Sequence, residues 1–573
     1  MRFLTILAML AVSGVLFAAV DEPTNEGQFI VSSAVEKFLL SSGDKENETM
    51  LVALPIRELR IADTEETVHE AVIVGGESFS SVNGRFVTSA EIDQMVEARR
   101  LKTQREREER ISWRRYAMDE FARRMSFAPD RLREDYIREA TTINIALTAA
   151  QIQNVIKNCH DLFLGVEEYN AVNDNMAEAM VDTSVDPYVL DYSARHGDGV
   201  GIYQSENCCP DSGFVTNYYK IASTCTTEQQ EHSKRVAGII RDASPDGFLY
   251  CRNGCVVPTS TDLAGYSGNP PIHIVNLSCS GGNDSSAYNT LSRDFDNLVY
   301  DEDVAVFASA GNCGDDEEFD PGEDYVGYPA EGLNVIAVGS YNDATDYLSP
   351  FTSWRNSVVN NEKPDITAPG VNISSGGYGN ASGTSLAAPH AAAIAADFAG
   401  YYTWLKFKPH YINAMTIATS TDSILGDWWK KGVGGIDFQS GFFDGYTQSW
   451  EGSNSSWSTF DNADPYPGNG YIDKTFYVNA SYSMVRVAIY WLNDGDYIYS
   501  HQNDSYVIGM DLDFEVYDPN GDLVNISSSY ENPWEVLTFD PAISGNYRVK
   551  IIRASNRDTA CNIRLGLWIN LNS

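Results

Sequence analysis

The stretch Ser382-Gly383-Thr384-Ser385-Leu386-Ala387-Ala388-Pro389-His390 constrains the fold more than any other part of this 573-residue chain. It sets a serine between a glycine turn and a run that continues through Ala391, Ala392, Ala393, Ala395 and Ala396. A helix with so many alanines is small on nearly every side, so neighbouring elements can approach it closely and it belongs inside a core. The positive end of its dipole lies near Ser385. A serine hydroxyl near its free pKa is a poor nucleophile, so a chain that uses one must expose the oxygen on a turn and supply a base. The plain alternative is an alanine-rich core helix with a serine at its N-cap, and further segments speak against it.

Val304-Ala305-Val306-Phe307-Ala308-Ser309-Ala310-Gly311-Asn312 is an apolar, β-favouring run that ends in Gly-Asn. It reads as a buried parallel strand ending at a loop, and the strand tips of open parallel sheets are where sites form. The nine-residue segment around Ser385 resembles the nucleophile motif Gly-Thr-Ser-x-Ala-x-Pro of the subtilisin-like serine proteases, which Gly383 to Pro389 fit. Val326-Gly327-Tyr328-Pro329-Ala330 and Val335-Ile336-Ala337-Val338-Gly339 follow in the family's order. The resemblance implies an α/β catalytic domain with a doubly wound, mostly parallel sheet, and Asn312 as the oxyanion donor. Its amide gives a hydrogen bond without introducing charge, and losing one such donor costs about 2.7 to 4 kcal/mol of transition-state stabilisation.

The base should be a histidine upstream of both, and the chain has eight. His232 opens His232-Ser233-Lys234-Arg235-Val236-Ala237-Gly238, which resembles the family's His-Gly-Thr-x-Val-Ala-Gly and departs from it at Ser233 and Lys234. His390, five residues along a helix from Ser385, points away from it. The third member departs from the family pattern. The strand that should end in aspartate reads Gly199-Val200-Gly201-Ile202-Tyr203-Gln204-Ser205-Glu206, so the acid position holds Glu206. A glutamate can orient an imidazole as an aspartate does, since the role needs a carboxylate held against Nδ1–H. Asp211 is the rival, in an Asp-Ser-Gly signature behind Cys208-Cys209-Pro210, a poor strand ending. The sedolisins, a related family, also use glutamate, but in place of the histidine and with an aspartate at the oxyanion. Retention of His232 and Asn312 argues against that assignment.

By the same resemblance Ile272 to Leu277, with Ser278-Cys279-Ser280-Gly281, supplies an edge that pairs with an extended substrate. Ser278, Cys279 and Ser280 would form one wall of the pocket for the side chain before the scissile bond, Ala310 and Gly311 the other, and Gly327 its base, with room for a large side chain. Residues 315–324 pack seven carboxylates into ten positions. They suit a preference for basic substrate residues, a structural calcium ion, or an ordinary solvated acidic loop. Asp511 and Asp513 offer a further Asp-x-Asp. No cofactor is required for the chemistry.

The formal net charge of −40 argues against general affinity for nucleic acid or anionic membranes. Residues 1–20 read as a secretory signal and later apolar runs are too short to span a bilayer, so the expectation is a secreted protein. Seven of the nine cysteines lie between Cys208 and Cys313, which allows up to three disulfides, with Cys208, Cys209, Cys225, Cys251 and Cys255 as candidates.

Residues 21–175 read as an α+β propeptide and inhibitor: an exposed Arg/Glu-rich helix within 93–140, a strand at 142–148, a helix at 149–156 and a strand-like run from Leu162. Autoprocessing is expected between about Glu168 and Asp186. The catalytic domain occupies 176–446. Residues 447–573 alternate as half-buried strands and form an all-β sandwich. The function expected is a self-processed serine endopeptidase acting on proteins or peptides, with its own propeptide as intramolecular partner. The alternative is a catalytically impaired binding or adhesion protein on a protease fold.

Overall fold

The computed structural model of the chain describes residues 29–41, 49–63, 66–74, 77–127, 141–168, 173–174, 197–222, 227–266, 268–281, 288–314, 325–356, 361–437, 444–454, 470–504 and 506–572. The signal, the acidic loop 315–324 and most of the expected processing region lie outside them. At the centre is a parallel sheet in the order Tyr218–Ala222, Phe248–Asn253, Gly201–Glu206, Ile272–Leu277, Ala305–Ser309, Ile336–Asn342. Ile366–Pro369 also pairs in parallel with Ile336–Asn342. Every residue of Ile272–Leu277 and Ala305–Ser309 is buried, as strands covered by helices on both faces must be. After Gly201–Glu206 the chain lays down the edge strand Tyr218–Ala222, returns with Phe248–Asn253 between the two, then crosses to the other side with Ile272–Leu277. Glu206 therefore ends a strand at the point where strand order reverses, the crevice in which open α/β sheets form sites.

The helix Thr384–Tyr401 is buried from Thr384 through Gly400. It packs against Ile272–Leu277, Ala305–Ser309, Ile336–Asn342, Ile366–Pro369 and the helix Thr227–Ala243. Its alanines allow this, because a larger side chain on any face would meet close-packed backbone, and overpacking of that kind costs about 1 to 3 kcal/mol.

Toward the N-terminus, Ile30–Val31, Gly165–Glu168, Thr49–Pro55 and Thr142–Thr148 form a four-stranded sheet in that order. The helices Ser33–Ser41 and Ala149–Asn158 lie in the same region, and Val35, Leu54, Phe121, Ile145, Val155 and Phe163 share one core. Thr148 ends its strand and caps the following helix, its side chain accepting from Gln151 N while Gln151 reaches back. The Arg/Glu-rich stretch forms one helix, Ser89–Met125, opened by a capping box between Thr88 and Glu91. The charge pattern predicts an exposed helix; instead Arg110 and Arg114 are buried on one face, because carboxylates of neighbouring elements pair with them.

Two antiparallel sheets complete the fold. One runs Trp534–Phe539, Met484–Trp491, Asn562–Asn572, Asp444–Ser453, Thr67–Val74, Glu77–Val82, Arg85–Val87; the other runs Tyr471–Val478, Gly545–Asn556, Met510–Tyr517, Leu523–Ser527. Trp450, Trp491 and Leu565 from the first meet Phe476, Phe514 and Val549 from the second in a shared hydrophobic core. The larger sheet starts at Asp444, inside the stretch that the sequence gives to the catalytic domain. Three of its strands come from residues 67–87, which the sequence assigns to a separate N-terminal region. No local pattern announces that pairing.

Glu331, just after the Tyr-Pro-Ala motif, is buried and accepts from Ser292 Oγ at 2.9 Å. Burial pushes its pKa up to about 8, against that hydrogen bond, with Asp296 and Glu167 adding to the rise. The folded chain thus keeps a proton that the unfolded chain has released. The stability from this group is full below the ordinary carboxyl range and is lost as pH rises toward about 8, at about 1.4 kcal/mol per pH unit. Glu331→Gln should keep the Ser292 contact and flatten the decline of Tm between pH 5 and pH 9; an unchanged slope would count against a protonated Glu331.

Candidate active site

Glu206, His232 and Ser385 come from three separate elements: the end of the strand Gly201–Glu206, the second turn of the helix Thr227–Ala243, and the first turn of the helix Thr384–Tyr401. They meet in one hydrogen-bonded chain. Glu206 Oε2 lies 2.7 Å from His232 Nδ1, and His232 Nε2 lies 3.0 Å from Ser385 Oγ. The carboxylate fixes the proton on Nδ1, so Nε2 faces the serine as an acceptor. All three side chains are buried. Asp211, the rival acid, is exposed, and its side chain pairs with Lys234 at 3.2 Å and accepts from Gln230. The main chain holds Glu206 in place. Its carbonyl accepts from Gly254 N at 2.6 Å, and the Cys209–Cys251 disulfide ties the loop beyond it to the neighbouring strand.

The Val-Ala-Gly run behind His232 has a packing reason. A Cβ on Gly238 would stand 2.3 Å from Ser375 Oγ and 2.6 Å from Gly376 N, so the histidine's helix can seat against that loop only with glycine there. His390 is buried, with Nδ1 2.8 Å from the Leu386 carbonyl, and burial lowers its pKa to about 4. It is a neutral core residue. Pro389 has no N–H, so it cannot donate to the carbonyl of Ser385 one turn earlier.

Asn312 follows Gly311, whose φ of 114° turns the chain sharply at the strand tip. Asn312 Oδ1 accepts from both Thr384 N and Thr384 Oγ1 at 2.9 Å, and Thr384 Oγ1 in turn accepts from Gly311 N at 3.1 Å. With Oδ1 held twice, Nδ2 is the amide group left to donate. Thr384 was not singled out from the sequence, although its place in the Gly-Thr-Ser motif is the signal that could have found it. The expected pocket residues are also brought together. Gly327 N donates to Ala310 O at 3.0 Å, and Gly281 exchanges backbone hydrogen bonds with Tyr328, which joins Ser278, Cys279 and Ser280 to the Ala310, Gly311 and Gly327 side.

The cysteines pair as Cys209–Cys251 and Cys255–Cys279, and Cys208 is also disulfide-bonded. Sequence spacing did not point to Cys279 as a partner, because the pairing crosses strands. Cys159 and Cys561 remain thiols. Among the described residues no group of three or more His, Cys, Asp or Glu side chains is placed to hold a metal ion, and Asp511 and Asp513 form no such group.

A buried carboxylate, imidazole and hydroxyl thus stand in series at the carboxyl end of the parallel sheet of an α/β fold. Residues 179–442 match the subtilase family. A subtilisin of Bacillus sp. (strain TA39) is 35% identical over 144 residues, covering 22% of this chain and 32% of the relative. Subtilisin amylosacchariticus of Bacillus subtilis subsp. amylosacchariticus is 29% identical over 290 residues, covering 46% of this chain and 65% of the relative. The chain thus spans less than two thirds of either relative's length. Among solved structures, the prenylagaramide maturation protease PagA aligns over 43% of this chain and 94% of its own, at 20% identity and a TM-score of 0.34.

The geometry separates the two acids experimentally. Labelling of Ser385 by a fluorophosphonate should slow by about 10⁴-fold in Glu206→Gln, where an amide can no longer stabilise the imidazolium. Asp211→Asn should label at the parent rate. Equal slowing in both variants would remove Glu206 from the role.

Proposed function

We propose that the chain is a secreted serine endopeptidase, made as a precursor that cuts itself. The observation that carries this reading is the hydrogen-bonded series from Glu206 through His232 to Ser385, with Asn312 held by Thr384, the residue before Ser385. Ser385 Oγ attacks a peptide carbonyl while His232 Nε2 takes its proton, and Glu206 stabilises the imidazolium through Nδ1–H. The tetrahedral oxyanion accepts from Asn312 Nδ2. Collapse of the intermediate, with the proton passed from His232 to the leaving amine, gives an acyl-Ser385 ester. Water then attacks it by the same relay. These steps draw on no cofactor; a structural calcium ion is a separate matter, and the acidic loop 315–324 is its candidate holder.

The substrate edge gives the reading its second support. Cys279–Ser280 pairs antiparallel with Asn173–Asp174, in the register Cys279 with Asp174 and Ser280 with Asn173. A piece of the chain's own N-terminal region thus lies where an extended substrate would add its backbone. This supports residues 21–175 as an intramolecular inhibitor, with the cut between about Glu168 and Asp186 and residues 176–446 as the catalytic unit. Substrates are proteins or peptides, and a pocket floored by Gly327 favours a large side chain before the scissile bond. Secretion rests on the apolar residues 1–20; among the described residues no helix is long and apolar enough to cross a membrane.

Two measurements test this. The wild-type protein should carry a new N-terminus between about residues 168 and 186, and Ser385→Ala should keep the uncut chain; identical processing of both would overturn self-cleavage. Asn312→Ala should lower kcat by about 10² to 10³-fold with KM little changed. A proportional rise in KM instead would assign Asn312 to ground-state binding.

A further inference from the structure

We infer that the N-terminal region stays bound after the cut as a permanent, non-covalent subunit of the mature enzyme; this rests on the self-cleavage reading above. The strand Thr67–Val74 is an interior strand of the seven-stranded sheet, lying between Asp444–Ser453 and Glu77–Val82. Its register with Asp444–Ser453 runs over seven residue pairs, from Ile73 opposite Gly445 to Thr67 opposite Glu451. Departure of this region would leave the N–H and C=O groups along one side of Asp444–Ser453 unpaired, an edge prone to pairing with other chains. It would also withdraw Ala71 and Ile73 from the main core.

Charge makes the same joint. The helix Thr290–Glu302 ends in Asp301 and Glu302 and is followed by Asp303, three successive acids at the negative end of a helix dipole. The long helix Ser89–Met125 brings the counterions. Arg99 holds Asp303 at 2.6 Å, Arg107 holds Glu302 at 2.6 Å, and Arg110 bridges Glu302 and the Asp301 carbonyl. Arg99 also pairs with Glu451 of the C-terminal sheet. Glu302 and Asp303 are buried, and removing one partner of a buried ion pair is strongly destabilising because the other charge is left uncompensated.

The traffic runs the other way as well. Arg293, with no exposed surface, donates to the carbonyls of Ile56 and Thr141, and Asp294 accepts from Thr141 and Thr142. Asp63 pairs with Arg564, 2.5 Å away, and Arg60 reaches both Asp494 and Asp558. The N-terminal region therefore fills the junction between the parallel-sheet domain and the C-terminal sheets. The groove contact is small beside this: two residue pairs at Asn173–Asp174. Cutting the chain next to that pairing frees the strand in the groove and leaves the rest of the region held by an interior strand and buried ion pairs.

The test uses the full chain with Ser385→Ala and a recognition sequence for an unrelated site-specific protease placed within residues 176–196. Self-cleavage is then absent and the cut is made in vitro. The two pieces should co-elute in size-exclusion chromatography at the position of the uncut chain, separate on a denaturing gel, and unfold in one thermal transition. Elution of the C-terminal piece without the N-terminal piece would overturn the inference. In the same background, Arg99→Ala with Arg110→Ala should lower the denaturant concentration at which the pieces part; an unchanged midpoint would overturn the ion-pair argument. Failure of self-cleavage shows separately, as a wild-type protein that stays one chain while the engineered pieces still co-elute.

Discussion

Close packing around the helix Thr384–Tyr401 is the contact on which the rest of the site depends. Because the helix carries alanine where it crosses the sheet, strands and a second helix approach it from several sides at once. Its first turn is thereby fixed in three directions. Ser385 is set against His232, Thr384 is locked to Asn312, and the main chain of the Gly311 turn is locked to Thr384. A reacting constellation needs placement to a fraction of an ångström, and a dense interior supplies it with few degrees of freedom left over.

Charge has a different job in this molecule. The chain has 80 acidic and 40 basic residues, and many of the arginines do not cover the surface. Arg110, Arg293 and Arg564 are buried between parts of the chain that are far apart in sequence, each with carboxylate partners. Such pairs add little net stability over apolar packing, yet they penalise any arrangement that separates the partners. Their placement makes the N-terminal region, the parallel-sheet domain and the C-terminal sheets interdependent.

Legibility followed the range of the interactions. The strand at Thr142–Thr148 and the helix after it were readable because hydrophobic period and the Thr148–Gln151 capping box act within a few residues. The helix Ser89–Met125 was readable as a helix, but its burial was not, since the acids that bury Arg110 lie almost 200 residues away. The same limit hid the Cys255–Cys279 pairing and the three strands from residues 67–87 that complete the C-terminal sheet. In the site, Ser385, His232 and Asn312 were marked by local motifs. The choice between Glu206 and Asp211 was marked less sharply: Glu206 ends the strand and Asp211 lies a few residues beyond it, and their positions relative to His232 appear only in the fold.

The sequence by itself determined the kinds of element and the chemistry available: a small-residue helix behind Ser385, buried parallel strands, a glycine turn before Asn312, a helix bearing His232. These are consequences of steric size, side-chain period and backbone conformational freedom, all local properties. The tertiary structure alone decided which carboxylate meets the imidazole, which cysteines bond, that Asn173–Asp174 pairs with Cys279–Ser280, and that residues 67–87 belong to a sheet otherwise built from the other end of the chain. Those outcomes depend on distances between residues remote in sequence, and such distances exist only once burial and charge pairing have fixed the whole arrangement.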